Sequence, residues 1–229
     1  MTTMEGLTVD YTDKGFAIVT WNLKENSFRL STIHAWHKIL DEVLSKPDTQ
    51  ILITIGSGKF YSNGIDLEWL ATQSTDGVQK YIDALNSLMI RLMVYPMPTV
   101  AIVNGHAFGA GAFLAIAHDY RVMRSDRGWL CWPETRLKMK LRPTMLDIIR
   151  AKIQNGKQQR EAIIYAKRLK GQDALDLGIV DVIGNENQLL DHAKILGKNA
   201  LGSEGLDRTM VAMMKRDVYG KYISFDAHL

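Results

Sequence analysis

Thr99-Val-Ala-Ile-Val-Asn-Gly-His-Ala-Phe-Gly-Ala-Gly-Ala-Phe-Leu-Ala-Ile-Ala-His-Asp119 decides how this chain is read. The continuous apolar run Thr99 to Val103 predicts a strand buried on both faces, because a strand with one wet face would alternate. Gly105, Gly109 and Gly111 then mark a turn where the backbone can come very close to another segment. Ala112 to Ala117 reads as a short buried helix of small residues. Strand, glycine turn and helix N-terminus together aim free backbone N–H groups at whatever lies in front of them, a geometry suited to an anion. Within this stretch alone, a tight turn whose glycines serve only packing accounts for the same residues.

Upstream, Leu7 to Tyr11 and Phe16 to Trp21 alternate and are joined by Thr12-Asp13-Lys14-Gly15, a hairpin signal. Asn22 to Arg29 reads as loop. Ser31 is placed to cap a helix from Thr32 to about Ser45, with Ile33, Trp36, Ile39, Leu40 and Val43 on one face. Gln50 to Ile55 is a second buried strand, followed by the polar loop Phe60 to Leu67. A helix from Val78 to Val94 turns Tyr81, Leu85, Leu88, Met89 and Leu92 inward. Downstream, Tyr120 to Met123 and Trp129 to Trp132 predict strands, and Pro143 starts a helix to about Ile153. Lys157 to Ala166 reads as helix. Gln172 to Leu177, Gly178 and Val180 to Ile183 read as helix, C-cap and strand. Leu189 to Leu201 and Leu206 to Met214 complete the chain as helices. Strands alternating with helices, then helices alone, predict an α/β fold: a βαβ core over residues 1–185 and a helical region over 186–229.

Composition narrows the function. The 229 residues are 46% hydrophobic and 23% charged, ordinary for a globular chain. A formal charge of +3 without a dense basic stretch argues against nucleic acid as the main partner. The single cysteine, Cys131, allows no internal disulfide and reads as a small buried hydrophobe in a reducing compartment. No apolar run reaches membrane-spanning length, and Met1 to Glu5 has neither the basic nor the apolar region of a secretory signal. Ala227-His228-Leu229 follows the small-basic-leucine pattern of a peroxisomal address in degenerate form, with the cytoplasm as the alternative.

Two loops follow two parallel-type strands, one containing Ser62-Asn63-Gly64-Ile65-Asp66 and the other Gly109-Ala110-Gly111. Loops at the carboxyl ends of neighbouring strands share a crevice, so one N–H from each could converge on a single oxygen. At this point the chain resembles the crotonase (enoyl-CoA hydratase/isomerase) superfamily. The resemblance is carried by Lys59-Phe-Tyr-Ser-Asn-Gly-Ile-Asp-Leu67, Asn104-Gly-His-Ala-Phe-Gly-Ala-Gly111, Trp132-Pro-Glu134 and Ala174-Leu-Asp-Leu-Gly-Ile-Val-Asp181.

The resemblance implies a crotonase-like spiral of ββα units with a C-terminal helical trimerisation region, hence a homotrimer. It places an oxyanion hole on the backbone N–H groups of Ile65 and Ala110, holding the thioester oxygen of an acyl-CoA. Ser62, Asn63, Gly64, Asp66 and Gly109 would line the bound thioester. It implies no metal and no cofactor, since CoA arrives as part of the substrate. Hydratases of the family use two glutamates; here the first position is Phe113 and the second is Glu134. A phenyl ring cannot activate water, so a single-carboxylate proton shuttle is expected, as in the Δ3-Δ2-enoyl-CoA isomerases and most like their peroxisomal branch, with Phe113, Trp132 and Phe108 as an apolar surround. Another crotonase reaction, hydration or thioester hydrolysis, and a non-catalytic acyl-CoA-binding role are the alternatives. Read without the motif, Glu134 is a loop carboxylate beside Arg136 and Lys138, and Asp66 a turn cap. His106 and His118 read as structural, and His34 and His37 have no ligand partner. After Glu134, where the family carries a glycine-containing apolar turn, stands Arg136-Leu-Lys-Met-Lys-Leu-Arg142, four cations in seven residues.

Overall fold

The fold is taken from a computed structural model, which describes residues 2–12 and 14–223; Asp13 of the predicted turn and Ala227-His228-Leu229 lie outside them. β1 (Thr2–Met4), β2 (Leu7–Tyr11) and β3 (Phe16–Trp21) form an antiparallel meander. β4 (Ser27–Phe28) leads into α1 (Leu30–Ser45), followed by β5 (Ile51–Gly56), β6 (Phe60–Ser62) and β7 (Gly64–Ile65). α2 (Leu67–Ala71) and α3 (Thr75–Met93) precede β8 (Thr99–Val103), β9 (His106–Phe108), α4 (Ala110–Ala117), β10 (Tyr120–Arg124) and β11 (Leu130–Cys131). The chain closes with α5 (Pro143–Lys152), α6 (Gly156–Gln158), α7 (Gly171–Asp176), β12 (Val182–Gly184), α8 (Leu189–Leu201) and α9 (Arg208–Tyr219).

Strands β1, β2, β3, β5, β8, β10 and β12 make one seven-stranded sheet in that order, parallel from β3 onward. β6, β9 and β11 form a second, three-stranded parallel sheet, and β4 pairs with β7. Each of β5, β8 and β10 therefore hands the chain to a short strand of the small sheet, which is the expected spiral of repeated ββ turns.

The large sheet is covered on both faces, as parallel strands require. On one side α1 buries Ile33, Trp36, Ile39, Leu40 and Val43, the predicted stripe, and α3 buries Tyr81, Leu85, Leu88, Met89 and Leu92. On the other, Leu189 and Ala193 of α8 pack on Phe16, Ile51, Ile53, Val100, Ile102 and Val122. A Cβ on Gly197 of α8 would lie 2.7 Å from an Ile51 methyl, so helix and sheet meet closely. α9 is fastened by Lys215, whose Nζ reaches Asp119 Oδ2 at 2.6 Å and the Tyr95 and Met97 carbonyls.

Several boundaries differ from expectation. α1 begins at Leu30 with Arg29 as N-cap, because Thr32 Oγ1 accepts the Arg29 N–H at 2.8 Å; Ser31 lies inside the helix. The helix expected over 157–166 is one turn, α6, followed by a π-helical turn at Gln159–Ile164. α9 starts after Asp207, whose carboxylate accepts from Met210 N–H at 2.8 Å, and runs on to Tyr219. The loops 22–29 and 60–67 contain β4, β6 and β7, strands too short to show a period.

Candidate active site

Three segments quoted from the sequence meet in space. Gly64, at φ +83°, sits where a Cβ would lie 2.5 Å from the Phe108 carbonyl oxygen and 3.1 Å from the Ala110 nitrogen. A Cβ on Gly111 would lie 2.2 Å from the Ser62 carbonyl oxygen. Both glycines are there for close approach, and the loops interlock through backbone. The third segment joins through β9 and β11: Gly109 N–H donates to the Cys131 carbonyl at 3.0 Å, three residues before Glu134.

The helix α4 begins at Ala110, two residues earlier than its apolar run suggests, after Gly109 at φ +51°. Ala110 is thus the first residue of a helix, where a backbone N–H has no partner within the helix. On the other loop, Asp66 N–H donates to the Phe28 carbonyl at 3.1 Å. Because N–H groups alternate along an extended segment, the Ile65 N–H is turned to the opposite edge from β4.

The remaining first-loop residues are committed to holding this backbone. Ser62 is fully buried and its Oγ donates to the Asn26 carbonyl at 2.7 Å while accepting Gly64 N–H at 3.2 Å. Asn63 Nδ2 donates to Glu25 Oε2 at 3.0 Å. Asp66 is the N-cap of α2, accepting from Trp69 N–H at 2.9 Å and pairing with Arg29 at 2.7 Å. The Trp69 N–H, with Arg29 in support, holds its carboxyl below the usual range, so it stays a charged cap.

Asn26, which carries no motif signal, organises the loop from behind. Fully buried at φ +51°, it accepts the Leu23 N–H at 2.8 Å and donates to the Phe60 and Tyr61 carbonyls at 3.0 and 3.3 Å. An asparagine is the side chain best suited to a left-handed position that must also pair with backbone, and that alone could have marked it.

Glu134 follows Trp132 and Pro133 on a turn fixed by Met139 N–H donating to the Glu134 carbonyl at 2.9 Å. Its Oε2 is buried and has no hydrogen-bond partner, and burial pushes its pKa up from the ordinary carboxylate value. Phe113 and Trp132 are buried and meet edge to face, ring centroids 6.3 Å apart. Phe108, expected in the same surround, instead lines a separate cleft with Phe60, His106 and Trp129. Glu134 is not ion-paired with Arg136 or Lys138; Arg136 Nε reaches the Ala166 carbonyl at 3.2 Å. Lys138 adopts φ +57°, a backbone state that normally selects glycine.

A cleft of about 710 Å³ opens beside the first loop, lined by Lys24, Glu25, Arg29, Asn63, Ile65 and Asp66 among others. Glu134 does not line it, so this cleft and the unpartnered carboxylate are distinct places. Among the histidines, His118 is fully buried between Thr54 Oγ1 at 3.0 Å and the Leu114 carbonyl at 2.8 Å, and burial pushes its pKa down to about 4. Cys131 is buried with its thiol pKa raised by burial. Among the described residues, no group of three or more His, Cys, Asp or Glu could hold a metal ion, and no helix is long and apolar enough to cross a membrane.

Residues 12–222 match the enoyl-CoA hydratase/isomerase family. The chain is 36% identical over 163 residues to the peroxisomal enoyl-CoA delta isomerase 2 of Arabidopsis thaliana, covering 69% of this chain and 68% of that protein. It is 34% identical over 167 residues to enoyl-CoA delta isomerase 3 of the same plant, 71% of this chain and 70% of that one. In fold it resembles the human mitochondrial delta3-delta2-enoyl-CoA isomerase, with a TM-score of 0.84 at 21% identity over 94% of this chain and 85% of that one.

Proposed function

The chain belongs to the enoyl-CoA hydratase/isomerase family, and from that premise we propose that it moves the double bond of a 3-enoyl-CoA to give the 2-trans-enoyl-CoA in fatty acid oxidation. The observation that carries this reading is the buried, unpartnered carboxylate oxygen of Glu134, two residues after Trp132, whose ring meets Phe113 edge to face.

The thioester oxygen accepts hydrogen bonds from the Ile65 and Ala110 N–H groups, each worth on the order of a hundredfold or more in rate. Ionised Glu134 takes a proton from the carbon next to the thioester, giving a dienolate whose charge rests on that oxygen. The same carboxyl returns the proton two carbons further on, so one group, one proton and no cofactor close the cycle. The cleft beside the first loop, which Ile65 lines together with Lys24, Arg29 and the carboxylates Glu25 and Asp66, receives the CoA portion. Phe113 denies a second carboxylate to any water at the site, which disfavours hydration.

Two further assignments accompany this reading. α9 exposes Met210, Met213, Met214 and Val218, a face that supports self-association as a trimer, checked by sedimentation equilibrium. Relatives named peroxisomal support a peroxisomal location, checked by imaging an N-terminal fluorescent fusion against a peroxisomal marker.

The deciding assay follows 3-hexenoyl-CoA by the absorbance of the conjugated product, with wild type and Glu134→Gln. An inactive wild type that still binds CoA would leave an acyl-CoA-binding protein. Equal activity in the variant removes Glu134 from the mechanism, and hydration of a 2-enoyl-CoA at a comparable rate refutes the role given to Phe113.

A further inference from the structure

We propose a second ligand site, next to the first-loop cleft and sharing Asn63 with it, that takes a phosphate group on the solvent-facing side of the three-stranded sheet. Alternation along β9 buries Ala107 and turns His106 and Phe108 to the other side. There, a cleft of about 260 Å³ is lined by Lys59, Phe60, His106, Trp129 and Arg168, with Asn63 and Phe108 completing its wall.

The rings form a row, with Phe60 and His106 centroids 5.5 Å apart and His106 and Trp129 3.8 Å apart. A cation stands over each end: Lys59 Nζ lies 5.3 Å from the Phe60 centroid and Arg168 Cζ 5.0 Å from that of Trp129. Arg127, outside the lining, donates to the Gly58 carbonyl at 2.8 Å. Among the described residues, none of these three cations pairs with a carboxylate. His106 shows the result: burial first, then Lys59, Arg127 and Arg168, lower its pKa, and no acid opposes them. Its Nδ1 is buried and has no partner.

A cleft whose lining charges, Lys59 and Arg168, are both positive and unpaired lacks one thing, an anion. Two lining cations suit a doubly charged group with several acceptor oxygens better than a lone carboxylate. The flat aromatic walls accept a phosphate whether it is free or carried by a nucleoside. Asn63 and Phe108 adjoin Gly64 and Ala110, so an anion here would brace both loops from outside.

The test is NMR of the histidine rings at constant ionic strength, titrating inorganic phosphate in one arm and adenosine 5′-monophosphate in another, against matched sodium chloride. We expect a saturable shift of His106 with its pKa rising, and no movement of His118. Lys59→Gln combined with Arg168→Gln, both at exposed positions, should weaken the binding by about tenfold or more. Tighter binding of the nucleotide assigns a nucleoside phosphate; equal binding assigns the phosphate group alone. Chloride matching phosphate, or a double variant binding as wild type does, overturns the proposal. None of these readouts depends on isomerase activity.

Discussion

Where the loops around Ser62–Gly64 and Gly109–Gly111 meet, backbone is closed in by other backbone, whereas from Thr135 to Arg142 the chain is a turn that mostly faces water. In the first region, positions 64 and 111 are closed to any side chain by facing carbonyl oxygens, and Ser62 and Asn26 tie what remains. In the second, Leu137 and Met139 are more than half exposed, Lys138 holds a strained φ of +57°, and the cations face water. The difference separates two tasks. In the proposed mechanism, stabilising a developing negative charge needs donors fixed in advance, a task suited to interlocked main chain. In the same mechanism, moving the proton needs only one carboxyl with a shifted pKa, and Glu134 stands at the start of the exposed turn.

The largest expected effect breaks the enclosed region. Gly111→Ala places a methyl 2.2 Å from the Ser62 carbonyl oxygen, and should cost at least about 3 kcal/mol in urea unfolding. Glu134→Gln should leave folding intact and lower isomerisation by roughly 10²–10⁴-fold, with CoA binding retained by calorimetry. Asn26→Ala removes three hydrogen bonds at a left-handed position and should cost about 2–3 kcal/mol, read as a lower melting temperature. In the exposed turn the sign reverses: Lys138→Gly relieves strain and should stabilise by about 0.5–1 kcal/mol. No change there would mean that the turn is held by contacts rather than tolerated.

The smallest effect is a pH dependence that joins the two regions. Glu134 has its pKa raised by burial, so the folded state holds its proton more tightly than the unfolded chain. Its contribution to stability is therefore complete below the ordinary glutamate pKa of about 4.3 and is lost as pH rises through the folded value. Wild type should melt close to Glu134→Gln in acid and below it near neutrality. The acid limb of kcat/KM, which reports the ionised base, should lie above the ordinary carboxylate range. A limb within that range would mean that the carboxyl is solvated in the working enzyme.

The large sheet was legible because its strands are long enough to carry a pattern: Thr99–Val103 and Phe16–Trp21 occur as read. Of the small sheet only β11 was legible, inside the strand read over Trp129 to Trp132; β6 and β9 hold three residues each and draw their pairing from the strands beside them. Similarly, the motifs marked Gly64, Gly111 and Glu134, and the structure brings their segments together. Asn26 stayed invisible because its work is done by hydrogen bonds to residues more than thirty positions away. Asp66 shows the reverse case, a motif residue whose carboxylate is occupied with capping a helix.

The strand order of the large sheet has a consequence in time. From β1 to β12 each new strand is laid against the one made before it, and none is inserted between earlier neighbours. A chain leaving the ribosome can therefore build the sheet as it is translated, exposing a single growing edge throughout. Chains arrested beyond residue 134 should already resist brief proteolysis over the first five strands of the sheet, and sensitivity there would show that folding waits for the last helices.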